Sequence, residues 1–70
     1  MNGDEKMLSV VIPSYNEQEM VPVAAKEIGR ILTRAEIPFE LIFVDDGSKD
    51  ATWAKIQEAG QEYLTVRGVH

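Results

Sequence analysis

The sequence predicts an α/β fold, a Rossmann-like β-α-β-α fragment with parallel strands, and three observations lead there. Two short apolar runs, "MLSVVIP" and "FELIFV", are rich in β-branched and aromatic residues, as in strands buried on both faces of a parallel sheet. After each run the apolar residues recur every three or four positions, which is the period of a helix. Strands that alternate with helices in this order are expected to lie parallel, joined by right-handed crossovers.

Taken in order, Met1 to Lys6 ("MNGDEK") is polar and expected to be a disordered tail. The first strand is predicted over residues 7–13, and Pro13 marks its end because proline cannot donate to a ladder. A helix is predicted over residues 21–36, with Val21, Ala24, Ala25, Ile28, Ile31, Leu32 and Ala35 on its apolar face. Asn16 and Glu19 have the spacing of a capping box, but Pro22 would then fall inside the helix. A loose turn from Asn16, with the regular helix starting near Pro22, is the preferred reading. Gly29 weakens this helix and is expected to let it approach the sheet closely; Pro38 prevents its continuation. The second strand is predicted over residues 39–45 and the second helix over residues 50–64, with Asp50 as its N-cap. Trp53, Ile56, Ala59, Gly60 and Tyr63 share that helix's inner face, and residues 66–70 begin a third strand.

The chain has 70 residues, room for one small domain over residues 7–70. At this size folding buries only about 60% of the unfolded chain's surface. With no cysteine there is neither a disulfide nor a Cys/His metal cluster to add stability. Seven basic residues against 12 acidic ones give a net charge of −5, which argues against a nucleic-acid partner. No apolar run approaches the ~20 residues of a membrane span. The chain is therefore expected to be cytoplasmic. Two strands and two helices make a poor sheet alone, so the chain reads as a piece of something larger, and its free strand edges predict homo-oligomers.

Ligands of open parallel sheets bind beyond the carboxyl ends of the strands. Two segments fall there, "PSYNE" (Pro13 to Glu17) and "DDGS" (Asp45 to Ser48), and adjacent parallel strands would bring them together. Neither is glycine-rich, so no dinucleotide fingerprint or P-loop is present. The edge offers an aromatic ring, Tyr15, and the carboxylates of Glu17, Asp45 and Asp46. A ring can stack on a nucleobase. A carboxylate only accepts hydrogen bonds, so it favours a base edge with N–H donors, such as uracil or guanine, and Glu17 could hold a ribose hydroxyl. Side chains alternate along a strand, so Asp45 and Asp46 are expected to point in different directions, with one alone meeting a base.

"SVVIPSYNEQE" followed by "FELIFVDDGSKDAT" resembles the start of a family-two glycosyltransferase with the GT-A fold. Within that family it is most similar to the polyprenyl-phosphate (dolichyl and bactoprenyl) sugar transferases. The resemblance covers Leu8 to about Gly68, which is only the opening of such an enzyme and an incomplete half of its nucleotide-binding unit. It implies a UDP- or GDP-sugar donor, with Pro13, Tyr15 and Glu17 lining the nucleoside pocket, Val44 giving main-chain contact and Asp46 meeting the base. Asp45 is the less secure member of that set. The family's Asp-x-Asp motif, which binds Mg²⁺ or Mn²⁺ through the donor diphosphate, does not occur in these residues. The metal is thus implied for a full-length parent at the cytoplasmic face of a membrane, and this chain is expected to hold none tightly and to be catalytically inactive.

Other readings stand beside this one. The aspartates could simply end a strand, and Tyr15 could be an ordinary loop aromatic. Asn16 and Ser48 read as turn and cap residues. Trp53 and Tyr63 read as core, and His70 has no evident role. A receiver-like phospho-acceptor module also places an acidic pair after a parallel strand to bind Mg²⁺, although there the pair follows the first strand. A self-associating α/β fragment without a ligand is the third possibility.

Overall fold

The structure is a computed structural model that describes residues 7–70, so the tail expected over residues 1–6 lies outside the described residues. Strand β1 (Leu8–Ser14), helix α1 (Met20–Arg34), strand β2 (Phe39–Asp45), helix α2 (Thr52–Glu62) and strand β3 (Val66–Val69) follow one another. The strands form one parallel sheet in the order β1-β2-β3. Two crossovers of one hand that step in the same direction across a sheet place both helices on the same face. Accordingly, α1 and α2 pack on each other, and both pack on β2.

The central strand shows the consequence residue by residue. Phe39, Leu41, Phe43 and Asp45 are buried beneath the helices, while Glu40, Ile42 and Val44 alternate onto the other face and are half-buried. Val21 and Ala25 of α1, Ile56 and Ala59 of α2, and Val66 of β3 complete the core. Burying each of the larger side chains stabilises the fold by about 1.5–3 kcal/mol. The opposite face carries Val11, Ile42, Val44 and Val69 with no layer over it among the described residues, and Val11 and Val69 are exposed. The expectation of strands covered on both faces is therefore corrected: the apolar run of β1 has one face open.

Helix α1 begins at Met20, ahead of Pro22, and the conflict foreseen at that proline does not arise. Pro22 sits in the first turn, where an amide has no intrahelical partner to lose. Asn16 takes no part in capping, because its φ of 52° puts it in the left-handed region outside the helix. At the other end, Glu36 adopts φ 58° and its N–H donates to the Thr33 carbonyl at 3.0 Å, so the helix stops before Pro38 is reached. Ile31 and Ala35, assigned to the inner face from their spacing, are exposed, whereas Leu32 beside Ile31 packs against the core. Gly60 of α2 is exposed as well. Gly29 is not required by close approach, since a Cβ there would lie 3.8 Å from Phe39 Cζ, an ordinary contact.

Candidate functional site

The register Pro13↔Val44 and Ser14↔Asp45 aligns the ends of β1 and β2, so the loops that leave them emerge side by side. The alternation of β2 continues through its last residue and separates the two aspartates. Asp45 turns inward beneath the helices with its side chain fully buried, and Asp46 is exposed. Gly47 follows with φ 79°, a conformation that side chains resist, and the turn brings Ser48 N–H back to Asp45 Oδ1 at 2.9 Å. The buried carboxylate thus fastens its own turn with one oxygen. Its other oxygen, Oδ2, has no hydrogen-bond partner, and the His70 ring nitrogen Nε2 lies 3.8 Å from it.

A cleft of about 590 Å³ opens at this edge, walled by Pro13, Tyr15, Glu17, Val44, Asp45 and Asp46. Every residue expected at the nucleoside pocket borders it. The ring of Tyr15 and the carboxylates of Glu17 and Asp46 are exposed, and hence free to meet a ligand. Val69 and His70 form a further wall that the sequence did not signal. His70 stacks on Trp53, with ring centroids 4.5 Å apart and planes 20° from parallel. The proximity of β3 to β2 brings it there, and a residue just past a short strand carries no periodic signature by which to find it.

The loops are also bonded to each other. Asn16 N–H donates to Ser48 Oγ at 2.8 Å, and Lys49 N–H donates to Asn16 Oδ1 at 2.9 Å. Glu17 N–H donates to Thr52 Oγ1 at 2.8 Å, and Ala51 N–H donates to Gln18 Oε1 at 2.9 Å. The N-cap of α2 is Ala51, not Asp50. Asp50 stands one residue outside, where its Oδ1 accepts from Thr52 N–H at 2.9 Å and from the Thr52 hydroxyl. The hydroxyl bond, together with the backbone donors, holds the Asp50 carboxyl below the usual carboxylate range against the opposing effect of burial.

The described residues do not build a divalent-metal site. Asp45 and Asp46 lie on opposite sides of the strand end, and no group of three His, Cys, Asp or Glu side chains converges among the described residues. The same divergence rules against a receiver-like acidic pair, which needs both carboxylates on one cation. A cavity of about 380 Å³ at the far end of the sheet is floored by Phe39, Ala25 and Gly29 and edged by Lys26, Arg30 and Arg34. The hydroxyls of Thr33, Tyr63 and Thr65 also line it, but no carboxylate does. Among the described residues no helix is long and apolar enough to cross a membrane.

A family model described as "Glycosyl transferase family 2" matches residues 9–70. The chain is 40% identical over 62 residues to an undecaprenyl-phosphate 4-deoxy-4-formamido-L-arabinose transferase of Pectobacterium atrosepticum, a match covering 89% of this chain and 19% of that protein. It is 46% identical over 52 residues to a human dolichyl-phosphate beta-glucosyltransferase, covering 67% of this chain and 16% of the relative. Identity to a dolichol-phosphate mannosyltransferase of Pyrococcus furiosus is 39% over 56 residues, covering 80% and 15% of the two chains. The chain thus spans less than a fifth of the length of the curated relatives it matches.

Proposed function

The chain belongs to glycosyl transferase family 2, and from that premise we propose that its cleft is the nucleoside-binding part of an enzyme that moves a sugar from a UDP- or GDP-sugar to a polyprenyl phosphate. The observation that carries this reading is the convergence of Pro13, Tyr15, Glu17, Val44 and Asp46 on one cleft at the carboxyl edge of the sheet. In this account the Tyr15 ring stacks on the base, and Asp46, acceptor-only when ionised, receives an N–H of uracil or guanine. Glu17 accepts from a ribose hydroxyl, and the main chain at Val44 closes the rim. Asp45 does not touch the ligand but holds the turn that presents Asp46. The acceptor is proposed from the relatives' names, which specify undecaprenyl, dolichyl and dolichol phosphates.

The residues that would neutralise a leaving diphosphate, with or without a divalent metal such as Mg²⁺ or Mn²⁺, are assigned to a longer parent at the cytoplasmic face of a membrane. This chain by itself is proposed to bind the nucleoside weakly and to transfer no sugar. An amide-resolved NMR titration with UDP and then GDP tests the reading. Shifts confined to Tyr15–Glu17 and Val44–Gly47 are expected, and the larger response ranks the two bases. A well-dispersed spectrum unmoved by either nucleotide at millimolar concentration would sink it.

Self-association is a second reading favoured by a separate observation. The face bearing Val11, Ile42, Val44 and Val69 is uncovered among the described residues, and β1 and β3 are both edge strands. Pairing at a free edge satisfies backbone donors and acceptors that otherwise face water, so copies of the chain are proposed to associate edge to edge.

A further inference from the structure

The hydrogen bonds between the two cleft loops form a reciprocal ladder. Asn16 gives its N–H to Ser48 Oγ at 2.8 Å and receives Lys49 N–H on Oδ1 at 2.9 Å. Gln18 repeats the pattern, giving its N–H to Asp50 Oδ2 at 3.4 Å and receiving Ala51 N–H on Oε1 at 2.9 Å. Between them Glu17 N–H reaches Thr52 Oγ1 at 2.8 Å. None of Asn16, Gln18, Ser48 and Thr52 lines the cleft. Asn16, Gln18 and Ser48 nevertheless each lie within two residues of a group that does: Asn16 sits between Tyr15 and Glu17, and Ser48 follows Asp46 by two positions.

We propose that Asn16, supported by Gln18, is a positioning residue that sets the gap between the Tyr15 ring and the Asp46 carboxylate; this rests on the nucleoside reading of the cleft. Three features favour Asn16 for the part. Its φ of 52° is a conformation that asparagine adopts far more readily than most side chains. That backbone turns its N–H toward one loop residue while the side chain reaches the next. Its bonds also act on the β2–α2 turn, which is already anchored from below by Asp45 Oδ1 on Ser48 N–H at 2.9 Å. The cleft is thereby closed into a ring: β2, Asp45, Ser48, Asn16, and back through β1. A loop ordered before the ligand arrives loses less freedom on binding, so the ladder contributes to affinity without touching the ligand.

The test compares Asn16→Gly, which keeps the left-handed backbone and deletes the acceptor, with Asn16→Asp, which keeps both. Uridine and guanosine serve as probes, since their lack of charge removes any effect of the added carboxylate on a diphosphate. Asn16→Gly is expected to weaken nucleoside binding roughly tenfold while Asn16→Asp stays near wild type. Amide exchange supplies a readout without ligand. In Asn16→Gly, protection should fall not only at Lys49 but also at Glu17 and Ala51, with Leu41 and Phe43 unchanged as markers of an intact core. Loss confined to Lys49 overturns the proposal, as does unchanged nucleoside affinity in Asn16→Gly. If the wild-type chain binds neither nucleoside, the reading of the cleft fails and the positioning role falls with it. Affinity that survives in Asn16→Gly overturns the positioning role alone.

Discussion

Replacing Gly68 by alanine is expected to destabilise the chain, whereas the same replacement at Gly29 is expected to stabilise it. Gly68 lies on the helix-covered face of β3, opposite Phe43. A Cβ built there would overlap Ile56 Cγ2 and come within 3.0 Å of Trp53 Cζ3. Ile56 is 1% exposed and β-branched, so it has little freedom to move aside. Overpacking of this kind costs about 1–3 kcal/mol. Removing a strand glycine returns about 0.5–1 kcal/mol. The clash outweighs that gain, leaving a net loss of up to about 2.5 kcal/mol, which in so small a domain lowers Tm by about 4–8 °C for each kcal/mol. At Gly29 the new methyl meets only Phe39 Cζ at 3.8 Å, so the helix-propensity gain of up to ~1 kcal/mol stands unopposed. Urea denaturation of both variants reads the two signs. The double variant Gly68→Ala/Ile56→Ala should be less destabilised than the two single losses added together, because the clash disappears. Equal effects of alanine at the two glycines, or strict additivity in the double variant, would refute the packing described for α2 on β3.

Thr52→Val keeps the shape of a fully buried side chain and removes the hydroxyl that bonds Asp50 and Glu17. The Asp50 carboxyl should then return toward the ordinary range in a carboxyl-detected NMR titration; no movement would contradict the assigned cause. The sign follows from the depressed pKa: the Asp50 interactions stabilise the fold above its unfolded pKa and are lost as pH falls through the lower folded one. In Thr52→Val that contribution should be largely absent, flattening the acid limb of the stability profile. Gly47→Ala has open space around the new methyl, so its cost is that of φ 79° alone, about 1–2 kcal/mol. It should speed exchange of the Ser48 amide, and an unchanged Ser48 amide would count against the turn. Edge-to-edge association predicts a light-scattering mass that rises over a tenfold concentration range; a constant monomeric mass would exclude it.

Much of the architecture was legible because periodicity reports burial directly. "FELIFV" alternates into the core at Phe39, Leu41 and Phe43, and Val21 and Ala25 of α1, like Ile56 and Ala59 of α2, recur at helical spacing. Period alone misplaced Ile31 and Ala35, because it reports which face of a helix is apolar but not which of its residues the neighbouring elements reach. The same limit hid the open face of β1, since an apolar run reads alike whether one or both sides are covered. At the site, strand alternation was enough to separate Asp45 from Asp46. The ladder through Asn16, Gln18 and Thr52 was not legible, because its bonds join residues more than thirty positions apart. Thr52 in particular gives no sign in the sequence that it is fully buried.

The account turns on Asp46 as the acceptor that meets the base, and uridine affinity of Asp46→Asn against wild type tests that most directly. Asparagine matches the carboxylate in size, and the side chain is exposed, so stability should not change. Asparagine keeps an acceptor oxygen but not its charge, and a bond to a charged acceptor is worth about 1 kcal/mol more than one to a neutral acceptor, which predicts affinity weakened about fivefold at unchanged Tm. Equal uridine affinity in the two proteins would contradict the assignment of Asp46.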